Sequence, residues 1–175
     1  ELCSTISYII VTFKWECTGS RWPRICWSLT GGFISGISLS STELYDESTG
    51  IWSLTANMTS ARNSLTTSTL NNGKILAIGS NVYNCDLYDY QTASWTLTSS
   101  MTYSRSLHAI SILTDGNVLV SGGQGSKASF YSVELYNPTI DMWSIVSNMT
   151  TNRQSHTAFI SELGCKYKYL YLSYL

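Results

Sequence analysis

An internal repeat constrains this 175-residue sequence more than any other feature. In three places an acidic residue, Leu and Tyr are followed by a Trp that stands seven residues after the Tyr, in segments 43–52, 86–95 and 134–143. A repeat of this length describes one supersecondary unit, which buries its apolar faces only against neighbouring units. The sequence therefore predicts an array of similar modules rather than a single central core.

Other positions recur in the same frame, and the copies differ in length at one loop. Eleven residues separate Gly32 from Glu43 and Gly123 from Glu134, but only six separate Ser80 from Asp86. A chance match would not confine its length change to one loop. The recurring positions, interpreted as structural, are Gly31, Gly32, Tyr45, Trp52, Arg62, Gly79, Tyr88, Trp95, Arg105, His108, Gly122, Gly123, Tyr136, Trp143, Arg153 and His156.

The local chemistry of each unit is typical of β-structure. In the clearest copy, residues 108–113 alternate with a period near two, and the Asp-Gly pair at 115–116 predicts a hairpin turn. The apolar run 118–120 predicts a strand that is covered on both faces. Further strands are expected at 133–136 and from about 142. Four short strands per unit without a helical period favour a radially repeated sheet.

These residues resemble the kelch repeat. The resemblance rests on the M-T-x-x-R-x-x-H start at 101–108, the Asp-Gly turn, the double glycine, the E-L-Y-[DN] strand and the closing Trp, and it extends over roughly residues 31–160. It implies a β-propeller built from four-stranded antiparallel blades. The predicted fold class is therefore all-β, a partial kelch-type β-propeller that forms an open, incomplete ring.

The pattern divides the chain into three parts. Residues 1–27 are a divergent N-terminal segment, residues 28–160 are kelch repeats, and residues 161–175 are an off-pattern tail. The repeats are interpreted as an incomplete blade 28–55, the blades 56–98 and 99–146, and the start of a further blade at 147–160. An open array exposes strand edges and blade faces, so we expect self-association through these edges or a longer parent protein.

Charge and composition exclude several classes of function. Ten basic and eleven acidic residues give a net charge of −1, which does not provide the positive field of a nucleic-acid-binding protein. No apolar run is long enough for a transmembrane segment. The localisation stays open between cytoplasmic and extracellular, because the N-x-T sequons at Asn57 and Asn148 matter only in a secretory compartment.

The residues with chemical potential are better explained by structure than by catalysis. His108 and His156 could serve as metal ligands or general bases, but they share one repeat position, which favours a common structural role. Arg62, Arg105 and Arg153 could form a ring that binds an acidic partner, although hydrogen bonds within the blades are the favoured interpretation. The five cysteines form no zinc-type spacing. We expect no catalytic residue, no metal and no cofactor.

Recognition is expected in the variable loops at 33–42 and 124–132. The candidate partner-binding residues in the second loop are Gln124, Lys127, Phe130 and Tyr131. The resemblance implies a non-enzymatic module that binds a protein partner through such inter-strand loops. Two alternatives stay open: the kelch portion of a galactose oxidase-like or carbohydrate-binding protein, and a truncated fragment without function.

Overall fold

The computed structural model describes residues 11–12, 25–80, 82–125, 131–161 and 169–174, and in these ranges it contains β-strands and no helix. In chain order the strands are β1 (Val11–Thr12), β2 (Ile25–Thr30), β3 (Phe33–Ile34), β4 (Ile37–Ser38), β5 (Thr42–Asp46), β6 (Ile51–Leu54), β7 (Leu65–Thr69), β8 (Ile75–Gly79), β9 (Cys85–Asp89), β10 (Ser94–Thr98), β11 (Arg105–Ser106), β12 (Ala109–Ile112), β13 (Val118–Ser121), β14 (Gln124–Gly125), β15 (Val133–Asn137), β16 (Met142–Ile145), β17 (His156–Ser161) and β18 (Tyr169–Tyr174).

Three antiparallel sheets of four strands dominate the described residues. We call them blade 1 (β1-β2-β5-β6), blade 2 (β7-β8-β9-β10) and blade 3 (β12-β13-β15-β16). Strands β17 and β18 form a two-stranded sheet, as do β3 with β4 and β11 with β14. None of the described sheets closes on itself. The predicted fold class, an all-β and open array of four-stranded antiparallel blades, is confirmed.

Some strands come from the ends of the chain where the repeat pattern fails. Strand β1 pairs with β2, and both lie wholly or partly within residues 1–27. Strand β18 lies in the off-pattern tail and pairs with β17 along six residues. Divergent sequence can still supply strands, because backbone hydrogen bonds do not depend on side-chain identity.

The core lies between the blades. Strand β8 is buried along its whole length. Its Ile75 and Ala77 side chains pack toward blade 1, whereas Leu76 and Ile78 pack toward blade 3, as the period-two alternation of a strand requires. The first interface core, between blades 1 and 2, contains Leu44, Met58, Leu65, Ile75, Ala77, Tyr88 and Trp95. The second interface core, between blades 2 and 3, contains Leu70, Leu76, Ile78, Cys85, Met101, Val118, Val120 and Tyr136.

Turns and loops segregate to opposite ends of the blades. The predicted hairpin turn closes with a hydrogen bond from Gly116 N–H to Leu113 O at 2.9 Å, and Gly116 takes a φ of 85°. Because connections in an antiparallel sheet alternate between its two ends, the second-to-third-strand connections and the links between blades meet at the other end. The term loop face is used for the described parts of the second-to-third-strand connections, which are residues 31–41, 82–84, 122–125 and 131–132.

In the described residues no helix is long and apolar enough to cross a membrane.

Candidate functional site

Two of the recurring arginines, Arg62 and Arg105, are anchored inside the blades, beneath the loop face. Arg62 is fully buried, and its Nη2 and Nε donate to Asp86 Oδ2 at 3.0 and 3.2 Å. Its Nη1 donates to the carbonyl oxygen of Gly79 at 3.0 Å. The guanidinium therefore ties the link into blade 2 to the second and third strands of the same blade. Its charge is neutralised inside the protein.

Arg105 repeats this arrangement in blade 3. It is fully buried, and its Nη2 donates to Glu134 Oε1 at 2.8 Å while its Nη1 donates to Gly122 O at 2.8 Å. The backbone N–H groups of Thr102 and Tyr103 also donate to the Glu134 carboxylate, at 2.6 and 3.1 Å. Burial lowers the pKa of Arg105, and the hydrogen bond and charge of Glu134 oppose that shift.

A methionine stands four residues before each recurring arginine, and these methionines fix the loop face to the following blade. In each case the methionine backbone N–H donates to a carbonyl in the connection of the preceding blade. These hydrogen bonds are Met58 to Ser40 at 2.8 Å, Met101 to Tyr83 at 2.9 Å and Met149 to Tyr131 at 2.8 Å. The loop-face connections are thus held at their bases by the next blade, which makes their exposed side chains a rigid surface.

The Tyr–Trp pairs join one blade to the blade before it. Tyr88 lies opposite Trp95 with ring centroids 5.1 Å apart, and the pair is buried. Trp95 Nε1 donates to Thr42 Oγ1 of blade 1 at 3.1 Å. In blade 3, Trp143 Nε1 donates to the carbonyl oxygen of Ser99, the residue that directly follows the last strand of blade 2, at 3.0 Å. The Tyr–Trp pair is therefore a docking element between blades.

The two histidines lie buried where one blade meets the next. A hydrogen bond of 2.5 Å joins His108 Nε2 to Thr66 Oγ1 of blade 2. A hydrogen bond of 3.0 Å joins His156 Nε2 to Ser121 Oγ of blade 3. Burial, followed by the charge of Arg105 and then that of His156, lowers the pKa of His108 to about 3. The structure therefore places both rings inside interfaces and away from solvent.

The glycines explain why blades approach so closely. A Cβ placed on Gly122 would lie 2.4 Å from Arg153 O, and one on Gly79 would lie 2.6 Å from His108 Cε1. The Gly123 N–H donates to Arg153 O at 2.8 Å, and the Gly32 N–H makes the same bond to Arg62 O at 2.8 Å. A side chain at these positions would force neighbouring blades apart.

The predicted partner-binding residues lie only partly within the described structure. Gln124 is exposed, and Tyr131 is 38% exposed. Lys127 and Phe130 lie outside the described residues. The structure therefore brings two of the four candidates to the loop face.

The β3–β4 hairpin is the most prominent apolar feature of the loop face. Ile34 lies opposite Ile37, and these side chains are 52% and 64% exposed, with Phe33 exposed beside them. Ser35 and Gly36 form its turn with φ values of 49° and 86°, as in the two-residue turns that suit the twist of a hairpin. Sequence reasoning identified this loop but missed these three side chains. The signal was a Ser-Gly turn between two isoleucines.

The base of this hairpin is fixed by several hydrogen bonds. Leu39 N–H donates to Gly32 O at 2.9 Å, and Arg62 N–H donates to Leu39 O at 2.8 Å. Asn63 Nδ2 donates to Ser38 Oγ at 2.6 Å. The hairpin is therefore preformed, and its exposed apolar pair needs no ordering on binding.

No group of three or more His, Cys, Asp or Glu side chains that could hold a metal ion occurs in the described part of the chain. Asn57 and Asn148 of the two sequons are exposed in the links between blades. Cys85 is a buried free thiol in the second interface core, and burial raises its pKa to about 12.

Comparison with known proteins supports the fold. Residues 111–150 match the family model of the Kelch motif. Among solved structures, the chain is similar to a copper complex of a fungal alcohol oxidase with catalytic diversity in the AA5 family. The identity is 24% and the TM-score 0.57, over 67% of this chain and 27% of that one. No curated protein matches.

The class defined by these findings is a partial kelch-type β-propeller, and residues 111–150 are a kelch motif. The resemblance that the sequence predicts is confirmed there. The chain spans only about a quarter of the length of the oxidase to which it is similar, because the match covers 27% of that chain. At 24% identity this similarity establishes the fold alone.

Proposed function

We propose that this chain is a non-enzymatic interaction module that binds a protein partner through its loop face. The observation that carries the proposal is the preformed β3–β4 hairpin, whose Ile34 and Ile37 are more than half exposed. Exposed apolar side chains that are grouped on a rigid element are typical of binding sites.

The repeat supplies an internal comparison for the hairpin. Counted from the double glycine, Phe33 corresponds to Gln124 and Ile34 to Gly125, both of which are exposed in blade 3. The blade architecture thus tolerates a polar side chain at the position of Phe33. At Gly125 the pairing of β14 with β11 leaves no room for a side chain, because a Cβ would meet Ser104 O, whereas Ile34 projects from a separate hairpin. Packing within the blade does not explain the apolar residues of blade 1, and recognition does.

The partner is expected to present an uncharged apolar pocket. The described ranges of the loop face contain no Asp, Glu, Lys or Arg. Ile34 and Ile37 flank the turn of the hairpin and are more than half exposed, so a concave surface is needed to bury both. Since the described ranges of the loop face contribute no charge, the affinity should change little between low and physiological salt.

The buried state of the titratable repeat residues supports a non-enzymatic role. Arg62 and Arg105 are paired with carboxylates inside the blades, and His108 is neutral and buried. A general base must reach a substrate proton within hydrogen-bond distance, which a ring enclosed between blades does not do.

The experiment compares three baits in affinity capture with quantitative proteomics. The baits are the wild-type chain, the variant Ile34→Ser with Ile37→Ser, and a control with Ile140→Ser and Met142→Ser, which removes equally exposed apolar residues away from the loop face. A partner is expected with the wild type and the control but not with the hairpin variant.

The affinity of the purified partner then decides the proposal. Ile34 and Ile37 would become buried in the complex, so their replacement by Ser should weaken binding by about 10- to 100-fold. Calorimetry measures this affinity. Equal affinity of the wild type and the hairpin variant would refute the role of the hairpin. Loss of binding by the control variant as well would indicate non-specific hydrophobic association instead of a defined binding site.

The similarity to a copper-bound AA5 alcohol oxidase favours one alternative, that the chain is the kelch part of a related enzyme. Elemental analysis after copper loading, together with an alcohol oxidation assay, distinguishes the two. Stoichiometric copper with turnover would replace our proposal by this alternative.

A further inference from the structure

One position in the repeat fills the same space at three successive interfaces, but with two kinds of side chain. This position lies three residues after the recurring arginine, and Leu65, His108 and His156 occupy it. A Cβ on the glycine of the preceding blade would lie 2.9 Å from Leu65 Cδ2 at Gly31 and 2.6 Å from His108 Cε1 at Gly79. For His156 the corresponding distance, from Gly122, is 2.8 Å. An apolar leucine therefore suffices to close an interface.

The hydrogen bonds of the two histidines suit only a neutral ring. Each Nε2 bonds to a hydroxyl of the preceding blade, Thr66 Oγ1 or Ser121 Oγ. Each Nδ1 is buried without a hydrogen-bond partner among the described residues. When Nε2 carries the proton, Nδ1 needs no acceptor. Protonation of the ring would place a second N–H at Nδ1 with nothing to accept it.

The titratable groups around His108 also oppose a second proton. Arg105 from the link into the same blade and His156 from β17 both act on the ring, and each lowers its pKa. The groups contributed by blade 2, Thr66 and Gly79, are uncharged. Glu134, the acid nearest to Arg105, is already bonded to that guanidinium. Burial together with Arg153 lowers the pKa of His156.

We propose that His108 and His156 make two successive blade interfaces acid-sensitive. Mild acid then separates blade 2 from blade 3, and blade 3 from the β17–β18 pair, while the interface closed by Leu65 between blades 1 and 2 stays intact. This inference is independent of the proposed partner binding.

The direction of the effect follows from proton linkage. An exposed histidine titrates near its ordinary pKa of about 6.5, whereas the buried ring of His108 stays neutral down to about pH 3. Between these values the open state binds more protons than the closed state. For His108 the opening equilibrium therefore increases by up to about tenfold for each pH unit below about 6, and the lowered pKa of His156 acts in the same direction at its own interface.

The thiol of Cys85 reports on the second interface core, where it is fully buried. The full chain is exposed to dithiodipyridine, which still reacts with thiols in mild acid because its pyridyl leaving group becomes protonated. Labelling is quantified by mass spectrometry on the peptide that contains Cys85. The rate in the urea-unfolded chain at the same pH corrects for intrinsic reactivity. In the wild type, protection of Cys85 should fall about tenfold from about pH 6 to about pH 5.

Two variants give the controls. His108→Leu copies Leu65 and should hold the protection of Cys85 constant within about twofold over this pH range. His156→Leu alters the other interface and should leave the wild-type pH dependence of Cys85 labelling unchanged. If His108→Leu fails to fold, His108→Gln serves, because its amide is neutral at all these pH values and can still bond Thr66.

Three results would overturn the proposal. The first is constant protection of Cys85 in the wild type. The second is an equal pH dependence in the wild type and in His108→Leu or His108→Gln. The third is an equal loss of pH dependence in His156→Leu, which would indicate acid unfolding of the whole chain rather than opening of separate interfaces.

Discussion

Replacing Glu134 by Gln tests whether the buried ion pair under the loop face holds blade 3 together. The carboxylate accepts hydrogen bonds from Arg105 Nη2 and from the N–H groups of Thr102 and Tyr103. A glutamine amide has a single oxygen, so one of these donors would face an NH₂ group. The guanidinium would also remain buried without a counter-charge, since both side chains are fully buried.

Removing one partner of a buried ion pair costs about 3–5 kcal/mol. That loss is a large part of a typical net stability of about 5–15 kcal/mol. With a urea m-value of about 2 kcal/mol per M, the unfolding midpoint should fall by about 2 M. Equilibrium urea unfolding followed by tryptophan fluorescence and far-UV circular dichroism measures the shift.

The chain itself offers the matched control. Blade 2 uses Asp86 where blade 3 uses Glu134, and Asp86 pairs with Arg62 at 3.0 Å. Glu134→Asp should therefore cost only about 1–2 kcal/mol, because the charge is kept and one methylene is lost. The double variant Arg105→Met with Glu134→Gln should cost less than the sum of its two single changes. A Glu134→Gln variant as stable as Glu134→Asp, or strict additivity in the double variant, would refute this account.

The other predictions concern burial, backbone conformation and thiol reactivity. Trp95→Phe should lower the stability by about 1–2 kcal/mol in thermal unfolding, because Trp95 is 8% exposed and its indole N–H bonds to blade 1. Trp52→Phe should change the stability by less than about 0.5 kcal/mol, since Trp52 is 42% exposed. Equal effects of the two variants would contradict the docking role of Trp95. Gly122→Ala should lower the free energy of unfolding by at least about 3 kcal/mol, because its Cβ would press against a carbonyl oxygen of the next blade. Gly36→Ala should lower it by only about 1 kcal/mol, since open space surrounds Gly36 and only its positive φ is strained. Urea unfolding measures both variants, and similar losses would contradict the close approach of the blades. Burial raises the pKa of the Cys85 thiol to about 12, so iodoacetamide at about pH 8 should modify it at least about 100-fold more slowly than in the unfolded chain; rapid alkylation of the folded chain would show that the thiol is accessible.

The strands within a blade could be predicted because their signals are local. The apolar run at β13 and the Asp-Gly turn before it need only their own residues and the allowed backbone conformations. The seven-residue spacing places each Trp opposite its Tyr across a tight turn, as in the pair Tyr136 and Trp143. Such signals do not require knowledge of the neighbouring blade.

The candidate site depended on contacts between distant residues and was therefore only partly predictable. The recurring arginine and the recurring acid were both visible in the sequence, but Arg105 and Glu134 are 29 residues apart, and no local rule pairs them. Strands β3 and β4 have two residues each, too few for a periodic signal. Their hairpin is fixed by the bridge from Leu39 to Arg62, which the fold brings together.

By itself, the sequence determined the repeating unit: four strands, their turns, and a tyrosine and a tryptophan on one face of each blade. Only the tertiary structure decided what each copy does with that face. Trp95 is 8% exposed and Trp52 is 42% exposed, although both close the same motif. The physical reason is that a side chain is buried only where a second surface covers it. Blade 1 covers Trp95, whereas nothing in the described chain covers Trp52 to the same extent.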